Sequence, residues 1–338
     1  MLSPNQAAPK MQALPAASNA GPFPPPLRRL FAAFVDLALL WFVTELLSVF
    51  YEDEFIALGR SGRLIGALFF LAYIGGQNST FTNGRTLGKK LCRLRTVTEK
   101  GRALTLERSL VRAALLLLPF LTKGLFVFPA HPSVAFTLHV LLALASVGYG
   151  GVLLASYFFT KQTGQALHDR LLGTCVILQD ANPPETLPPA TGKHWQRTTA
   201  VVWLFLCATG AGAQWWWWGG SRWNQVVELR ARVLGLDGVR RAEVFLGSFY
   251  FRSAAGTKEH ARYLEVLAFF RHKVSDFAEE SRRVAEAVVV SNPVDEWTAI
   301  RVTVGYEFDL LFARRRWQQS WVRTPAAWRD LVLPGKDQ

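Results

Sequence analysis

Cysteine is scarce, and the C-terminal 120 residues have none: Cys92, Cys175 and Cys207 are the three in 338 residues. A disulfide framework and a CxxC metal pair are excluded, so whatever folds after residue 219 is held by its apolar core alone. Charge is thin as well, at 19% of residues against 50% hydrophobic, with a mean hydropathy of +0.16. Residues 1–26, MLSPNQAAPKMQALPAASNAGPFPPP, lack the apolar core of a cleavable signal peptide. Their Pro, Ala and Ser content predicts a disordered tail. A nucleotide loop is missing too. In GRTLGKK (84–90) three residues separate Gly84 from Gly88, and Lys90 stands where a Walker motif needs Ser or Thr. His260, His272 and Asp276 are 12 and four residues apart, which matches no usual metal-ligand spacing. With no nucleophile–base arrangement and no cofactor motif, the chain reads as non-enzymatic and cofactor-free.

What the sequence does have is apolar length. Leu30 to Tyr51 is almost unbroken Phe, Leu, Val, Ala and Trp, enough to cross a bilayer core at about 20 residues. LIGALFFLAYIGG (64–76) is shorter and borrows from a flank or re-enters. Leu110–Phe128 is interrupted by Pro119 and Lys123, 133–159 is the longest run, and 198–218 follows a Pro-rich linker at 181–197. About five spans are expected. Nine Lys or Arg lie between residues 85 and 112 against Glu99 and Glu107, whereas the loop after the first span carries Glu52, Asp53 and Glu54. The excess of basic residues in a short loop puts that loop and the N-terminus in the cytoplasm. An odd span count then puts everything after Trp218 outside, with Trp215–Trp218 as an interfacial aromatic belt. A net charge of +13 is thereby assigned to the anionic inner leaflet rather than to nucleic acid.

The motifs RRLFAAFVD (28–36), GRTLGKKLCRLRTVTEKG (84–101), LERSLVR (106–112) and TGQALHDRLLGT (163–174) occur in the order and spacing of the RDD family, which this chain resembles from about residue 27 to 178. Those are small bacterial integral-membrane domains named for one arginine and two aspartates. The resemblance implies Arg29 (or its neighbour Arg28), Asp36 and Asp169 as those three. It implies a bacterial inner-membrane location and makes transport the expected activity. It does not reach the fifth span or the segment beyond.

Arg29 and Asp36 are seven residues apart and share a helix face, about 10 Å apart along the axis, too far for an ion pair. Asp36 therefore needs a partner from another segment, and Arg112 is the best candidate by depth. His168 and Asp169 lie on the same side and would close a cluster with Arg28, Arg29, Asp36 and Arg112. An intramembrane carboxylate is the usual proton or cation handle of a transporter. The plainer reading is a structural knot locking helix ends, since no substrate-sized set of polar residues is visible along the spans. Glu45 is expected at the outer interface. His139 is expected to hydrogen-bond a neighbouring helix rather than relay protons. The stretch after Gly88 is expected to be an amphipathic segment on the inner leaflet. There Leu91, Leu94 and Val97 would face lipid while Lys89, Lys90, Arg93 and Arg95 reach headgroup phosphates.

Beyond residue 219, WNQVVELRARVLGL and DFAEESRRVAEAVV have helical spacing. RRAEVFLGSFYFR, ARYLEVLAFFRHK and TAIRVTVGYEFDLLFA read as strands, followed by a basic stretch around ARRRWQQSWVR. The expected architecture has an all-α membrane bundle of about five helices, with an RDD-like four-helix domain at 27–180 and its basic loop at 84–109. A fifth span at 198–218 leads to a small α+β extracytoplasmic domain at 219–338. Two functions are weighed. One is small-solute or proton-coupled cation transport through Asp36, Arg29 and Asp169, which for so few spans predicts a homo-oligomer. The other is a membrane-anchored assembly protein whose 219–338 domain binds an envelope partner.

Overall fold

The computed structural model describes residues 22–125, 127–159, 165–181, 193–217, 222–252, 258–290 and 296–333. The expected tail through residue 21, most of the 181–197 linker, and Trp218 lie outside the described residues.

The first helix, α1 (Pro26–Phe50), is set up by Pro25–Pro26, whose fixed φ suits a helix start. Its buried residues are Arg29, Ala32, Asp36, Leu40, Thr44 and Ser48, one stripe at helical spacing that is small or polar apart from Leu40. The opposite face exposes Phe31, Phe34, Trp41, Phe42 and Leu46. A helix whose apolar side faces out and whose polar side faces in is built for hydrocarbon surroundings. The short α2 (Glu52–Leu58) runs on through a tight turn at Gly59–Gly62 into α3 (Arg63–Phe70), which ends in a wider π turn, Leu71–Gly75. The apolar run at 64–76 thus borrows from its N-terminal flank, and the helical stretch Glu52–Gly75 is long enough to span.

After α4 (Leu87–Leu91) comes β1 (Leu94–Thr98), then α5 (Leu106–Thr122), which stops soon after Pro119. Helices α6 (Pro132–Ala143) and α7 (Tyr149–Phe159) form another long run, joined by a second π turn. Next come α8 (Leu167–Leu171) and β2 (Thr174–Leu178), which pairs antiparallel with β1. Helix α9 (Lys193–Trp217) leads to the C-terminal domain. Among the described residues three helical stretches are long and apolar enough to cross a membrane: Pro26–Phe50, Glu52–Gly75 and Pro132–Ser156. Helix α5 is shorter, and α9 is apolar only over Ala200–Ala213.

The C-terminal domain is α+β. Helix α10 (Trp223–Leu234) precedes the hairpin β3 (Val239–Arg252) and β4 (Lys258–Phe270). Helix α11 (Phe277–Val289) then crosses to β5 (Ala299–Asp309), parallel to β4, and β6 (Arg314–Arg323) returns antiparallel before α12 (Pro325–Val332). The sheet order is β3-β4-β5-β6. Val244, Leu264, Val266, Ile300, Val302 and Val304 pack on Leu229, Val284, Val288 and Trp328 of the three helices. The basic stretch expected after residue 313 is the edge strand β6.

This domain is joined to the end of the bundle formed by α2, the Gly59–Gly62 turn and the loop after α5. Trp223 Nε1 donates to the Pro129 carbonyl at 2.8 Å, and Phe128 stacks on Trp223. Trp215 packs 4.7 Å from Trp223. His139 bonds the Ala135 carbonyl of its own helix and touches Trp215 and Trp223. Glu45 pairs with Arg315 of β6. The β5–β6 turn enters the bundle itself: Leu311 and Phe312 pack on Leu40, Phe70, Ala113 and Leu117, and Phe312 stacks on Phe70 at 5.9 Å. Gly66 makes room, because a Cβ there would sit 1.9 Å from the Leu310 carbonyl oxygen.

Gly66→Ala is expected to push the β5–β6 turn out of the bundle and lower stability by about 1–3 kcal/mol, the usual cost of overpacking. Thermal unfolding in nanodiscs, together with proteolysis of the C-terminal domain, measures this. An unchanged melting temperature and digestion pattern would contradict the docking.

Candidate functional site

The opposite end of the bundle gathers the charged residues. Asp169 is fully enclosed, where an isolated carboxylate would be far too costly to keep ionised. Arg112 supplies Nε and Nη2, both 2.9 Å from Oδ1, Arg29 Nη2 lies 3.5 Å from Oδ2, and Thr174 Oγ1 donates to Oδ1 at 2.9 Å. Burial alone would raise the Asp169 pKa, but Arg112, His168 and Arg29 together hold it well below the usual carboxylate range. The β1–β2 pairing assembles this site, because it returns the chain after α8 to the segment that precedes α5. Arg28, half-buried, donates to the Cys92 carbonyl at 2.7 Å, so the arginine that reaches the carboxylate is Arg29.

Asp36 is satisfied differently. The expected Asp36–Arg112 pair does not form, because Arg112 is taken by Asp169. Tyr73 Oη donates to Asp36 Oδ1 at 2.7 Å, Thr86 Oγ1 to Oδ2 at 2.6 Å, and the Gly88 backbone N–H to Oδ1 at 2.8 Å. Thr86 also caps α4, accepting from the Lys89 N–H. Gly88 is required because α4 presses on α1: a Cβ there would lie 2.1 Å from the Ala32 carbonyl oxygen. The glycine-and-basic motif at 84–90 is therefore a cradle for Asp36. Tyr73 is placed by the π turn, whose Gly75 carbonyl accepts from Ser109 Oγ at 2.6 Å.

The expected lipid-facing amphipathic segment needs correction. Leu94 and Val97 are buried in β1, and only Leu91 of the three apolar residues is exposed. Lys90 and Arg93 face solvent, whereas Arg95 turns back to donate to the Ala181 carbonyl at 3.1 Å. Lys89 points inward, its ammonium bonded to the neutral oxygens of Asn78 and Thr96, the latter at 2.6 Å. Burial drives the Lys89 pKa well below the ordinary lysine range, and the nearby Arg112 adds to that.

His168 is 4% exposed. Burial pushes its pKa down to about 4, leaving a neutral ring at pH 7, although Asp169 pulls the other way. Above these groups lies a cavity of about 400 Å³ between α1, α5 and α7. Its floor holds Arg29, Asp36, Lys89, Arg112, His168 and Asp169, and its walls are apolar, with Leu37, Phe120 and Leu154 among them. The residues that sequence reasoning missed are Tyr73, Thr86 and Asn78. Of the three, Thr86 had a readable signal, since a Thr directly before a short helix is a cap.

Elsewhere the former metal suspects have other roles or lie outside the described side chains. Asp276 caps α11, accepting from Ala278 and Glu279 N–H groups at 2.9 and 3.0 Å. His272 lies beside Phe270. The side chain of His260 lies outside the described ones. No cluster of His, Cys, Asp and Glu suited to a metal occurs among the described residues.

Residues 23–173 match the family model of the RDD family. The membrane domain of this chain belongs to that family. No curated protein and no solved structure matches the chain. The match ends just before β2, so α9 and the C-terminal domain lie beyond the RDD region.

Asp169→Asn is expected to leave Arg29 and Arg112 buried without a counter-charge and to cost about 3–5 kcal/mol. Asp36→Asn removes a carboxylate that only neutral donors contact and is expected to cost less, about 1–3 kcal/mol. Unfolding in nanodiscs measures both, and equal losses would contradict the division of roles. His168 generates a pH dependence of opposite chemical origin. Its folded pKa lies below the unfolded value of about 6.5, so the unfolded chain binds the extra proton. Stability is then complete above about pH 6.5 and falls as pH drops towards 4. His168→Gln should flatten that window, and an identical pH profile in the variant would count against it.

Proposed function

We propose that the protein is a non-enzymatic membrane protein that binds and moves a small solute at the charged-floor cavity of its RDD domain. In this reading the C-terminal domain serves as a fixed cap on the other end of the bundle. The observation that carries this reading is the cavity itself, a space of about 400 Å³ with an apolar wall and a charged floor. Its size falls in the ordinary range of small-molecule sites, roughly 300–1,000 Å³. The carboxylates are not the handles. Asp36 accepts from three neutral donors, and Asp169 is already neutralised by Arg112 and Arg29, with its hydrogen bonds gathered on Oδ1, which disfavours either as a cation handle.

The orientation that fits is a cytoplasmic N-terminus and basic loop, with the C-terminal domain on the far side of a bacterial inner membrane. Its support is the excess of Lys and Arg between residues 85 and 112. Lys90 and Arg93, exposed beside α4, are then the groups that meet anionic headgroups. A second reading is a membrane-anchored assembly protein. It is favoured by the edge strand β6, which ends the sheet and whose Arg314 and Val322 are exposed, an arrangement that can accept a partner strand.

Flux in proteoliposomes tests the first reading, across gradients of Na⁺, K⁺, H⁺ and small organic anions. Wild type is expected to carry one of these, and Leu37→Trp, which fills the cavity, is expected to abolish that flux while the protein stays folded. No flux of any of them from folded, inserted protein would remove the transport reading and leave assembly.

A further inference from the structure

The floor of the RDD cavity is electrostatically incomplete. Arg29 and Arg112 share the one carboxylate of Asp169, and Asp36 accepts from three neutral donors. That leaves Lys89. Its ammonium lies close enough to Arg112, Asp36, Asp169 and Arg29 to feel all four, yet it forms no ion pair among the described residues. An ammonium turned inward and held by two neutral oxygens lacks the anion that would compensate its desolvation. Beside it, His168 is 4% exposed and lines the same cavity, and neither ring nitrogen makes a hydrogen bond among the described residues. Nε2 stands 3.5 Å from Asp169 Oδ1, beyond a good bond. An ammonium with one of its three N–H groups left over and no counter-charge, beside a buried imidazole with neither nitrogen bonded, both lining one cavity, points to a missing anion.

The rest of the cavity describes what that anion is attached to. From Arg29 to Leu37 on α1, and from Arg112 to Phe120 on α5, the lining runs eight residues, about 12 Å along each helix. That is close to the depth of one leaflet, about half of a 30 Å hydrocarbon core. The walls along this depth are apolar, and Leu37, Phe120 and Leu154 are open at the surface, on the faces that meet lipid. A small hydrophilic ion would leave those walls unfilled. A neutral hydrocarbon would leave Lys89 and His168 unfilled.

We propose that the cavity is a binding site for an anionic amphiphile, whose phosphate or carboxylate head is held by Lys89 and His168 while its acyl chain lies between α1 and α7. This deepens the solute-binding reading by naming the substrate class. Entry is lateral from the bilayer, and the head settles on the floor already organised by the Arg29–Asp169–Arg112 network.

The test is binding to the full chain in nanodiscs of phosphatidylcholine, read by native mass spectrometry and by displacement of a fluorescent fatty acid. Lysophosphatidic acid is expected to bind saturably at one per chain. Lysophosphatidylcholine, with the same chain and no net charge, and inorganic phosphate, with the charge and no chain, are each expected to bind about tenfold more weakly or not at all. Lys89→Gln is expected to weaken lysophosphatidic acid by about tenfold or more, as loss of a charge-assisted bond does. Leu154→Trp, at an exposed position where folding is insensitive, is expected to block the chain. Equal binding of the zwitterionic lipid, phosphate competing as well as the lyso-lipid, or binding unchanged in both variants would overturn the proposal. Amphiphile binding without flux would leave this site standing and defeat transport. Flux of an inorganic ion with no amphiphile binding would defeat the site and leave transport.

Discussion

Asp169 can stay ionised inside the protein only because Arg112 and Arg29 meet it, and that requirement fixes where three separate segments lie. The arginines come from α5 and α1 and the aspartate from α8, so the charge pairing ties the first, third and last parts of the RDD domain at one end of the bundle. Breaking such a contact from one side strands a charge in a medium that cannot solvate it, at a cost of several kcal/mol. The β1–β2 ladder and the Gly88 contact with α1 hold the surrounding backbone at the distance this network needs. Asp36 sits one step deeper with neutral donors, which shows how a helix can keep a carboxylate in its buried stripe without a counter-ion.

The same physics recurs at the other end with the signs distributed differently. Glu307 and Asp309 of β5 are buried against Arg60 and Arg63 of the membrane domain. Arg60 Nε lies 3.2 Å from Glu307 Oε1, and Arg63 Nε donates to Asp309 Oδ2 at 2.8 Å. Arg241, Arg314 and Arg316 complete the shell around Glu307, with Arg241 and Arg316 resting over the Phe269 ring. Surrounded by guanidinium groups, the Glu307 carboxyl is held below its ordinary range despite its burial. With the β5–β6 turn seated among α1, α3 and α5, the C-terminal domain is part of the membrane domain's own core, not a module on a tether.

Much of this was legible in the sequence, for identifiable reasons. The apolar runs fall on helices because hydrocarbon length and helix length are linked, and the run at 64–76 needed only the residues before it. The strands at 239–252 and 258–270 were marked by the turn-rich segment between them, and the strand at 299–309 by its alternation. Arg29, Arg112 and Asp169 could be brought together by their depth at helix ends. The division of partners could not, since Asp36 is satisfied by Tyr73, Thr86 and Gly88, groups that carry no charge and sit 37 to 52 residues away. Nothing in a basic run marks Lys89 as the residue that turns inward while Lys90 and Arg93 stay out. Strand β6 was hidden because its inward face holds only Trp317 and Trp321 among arginines and glutamines, too few apolar residues to read as alternation. The entry of Leu311 and Phe312 into the bundle was hidden because their partners lie some 200 residues earlier.

The central claim is that the buried charges at the RDD end are a structural tie, supporting the cavity above them. A double-mutant cycle on Arg112→Leu and Asp169→Leu, read as unfolding free energy of the inserted protein, tests it most directly. Each single change should be strongly destabilising and the double change much less than their sum, with a coupling of about 1–3 kcal/mol. Losses that add to within about 0.5 kcal/mol would mean that the two residues do not depend on each other, and the account would fail.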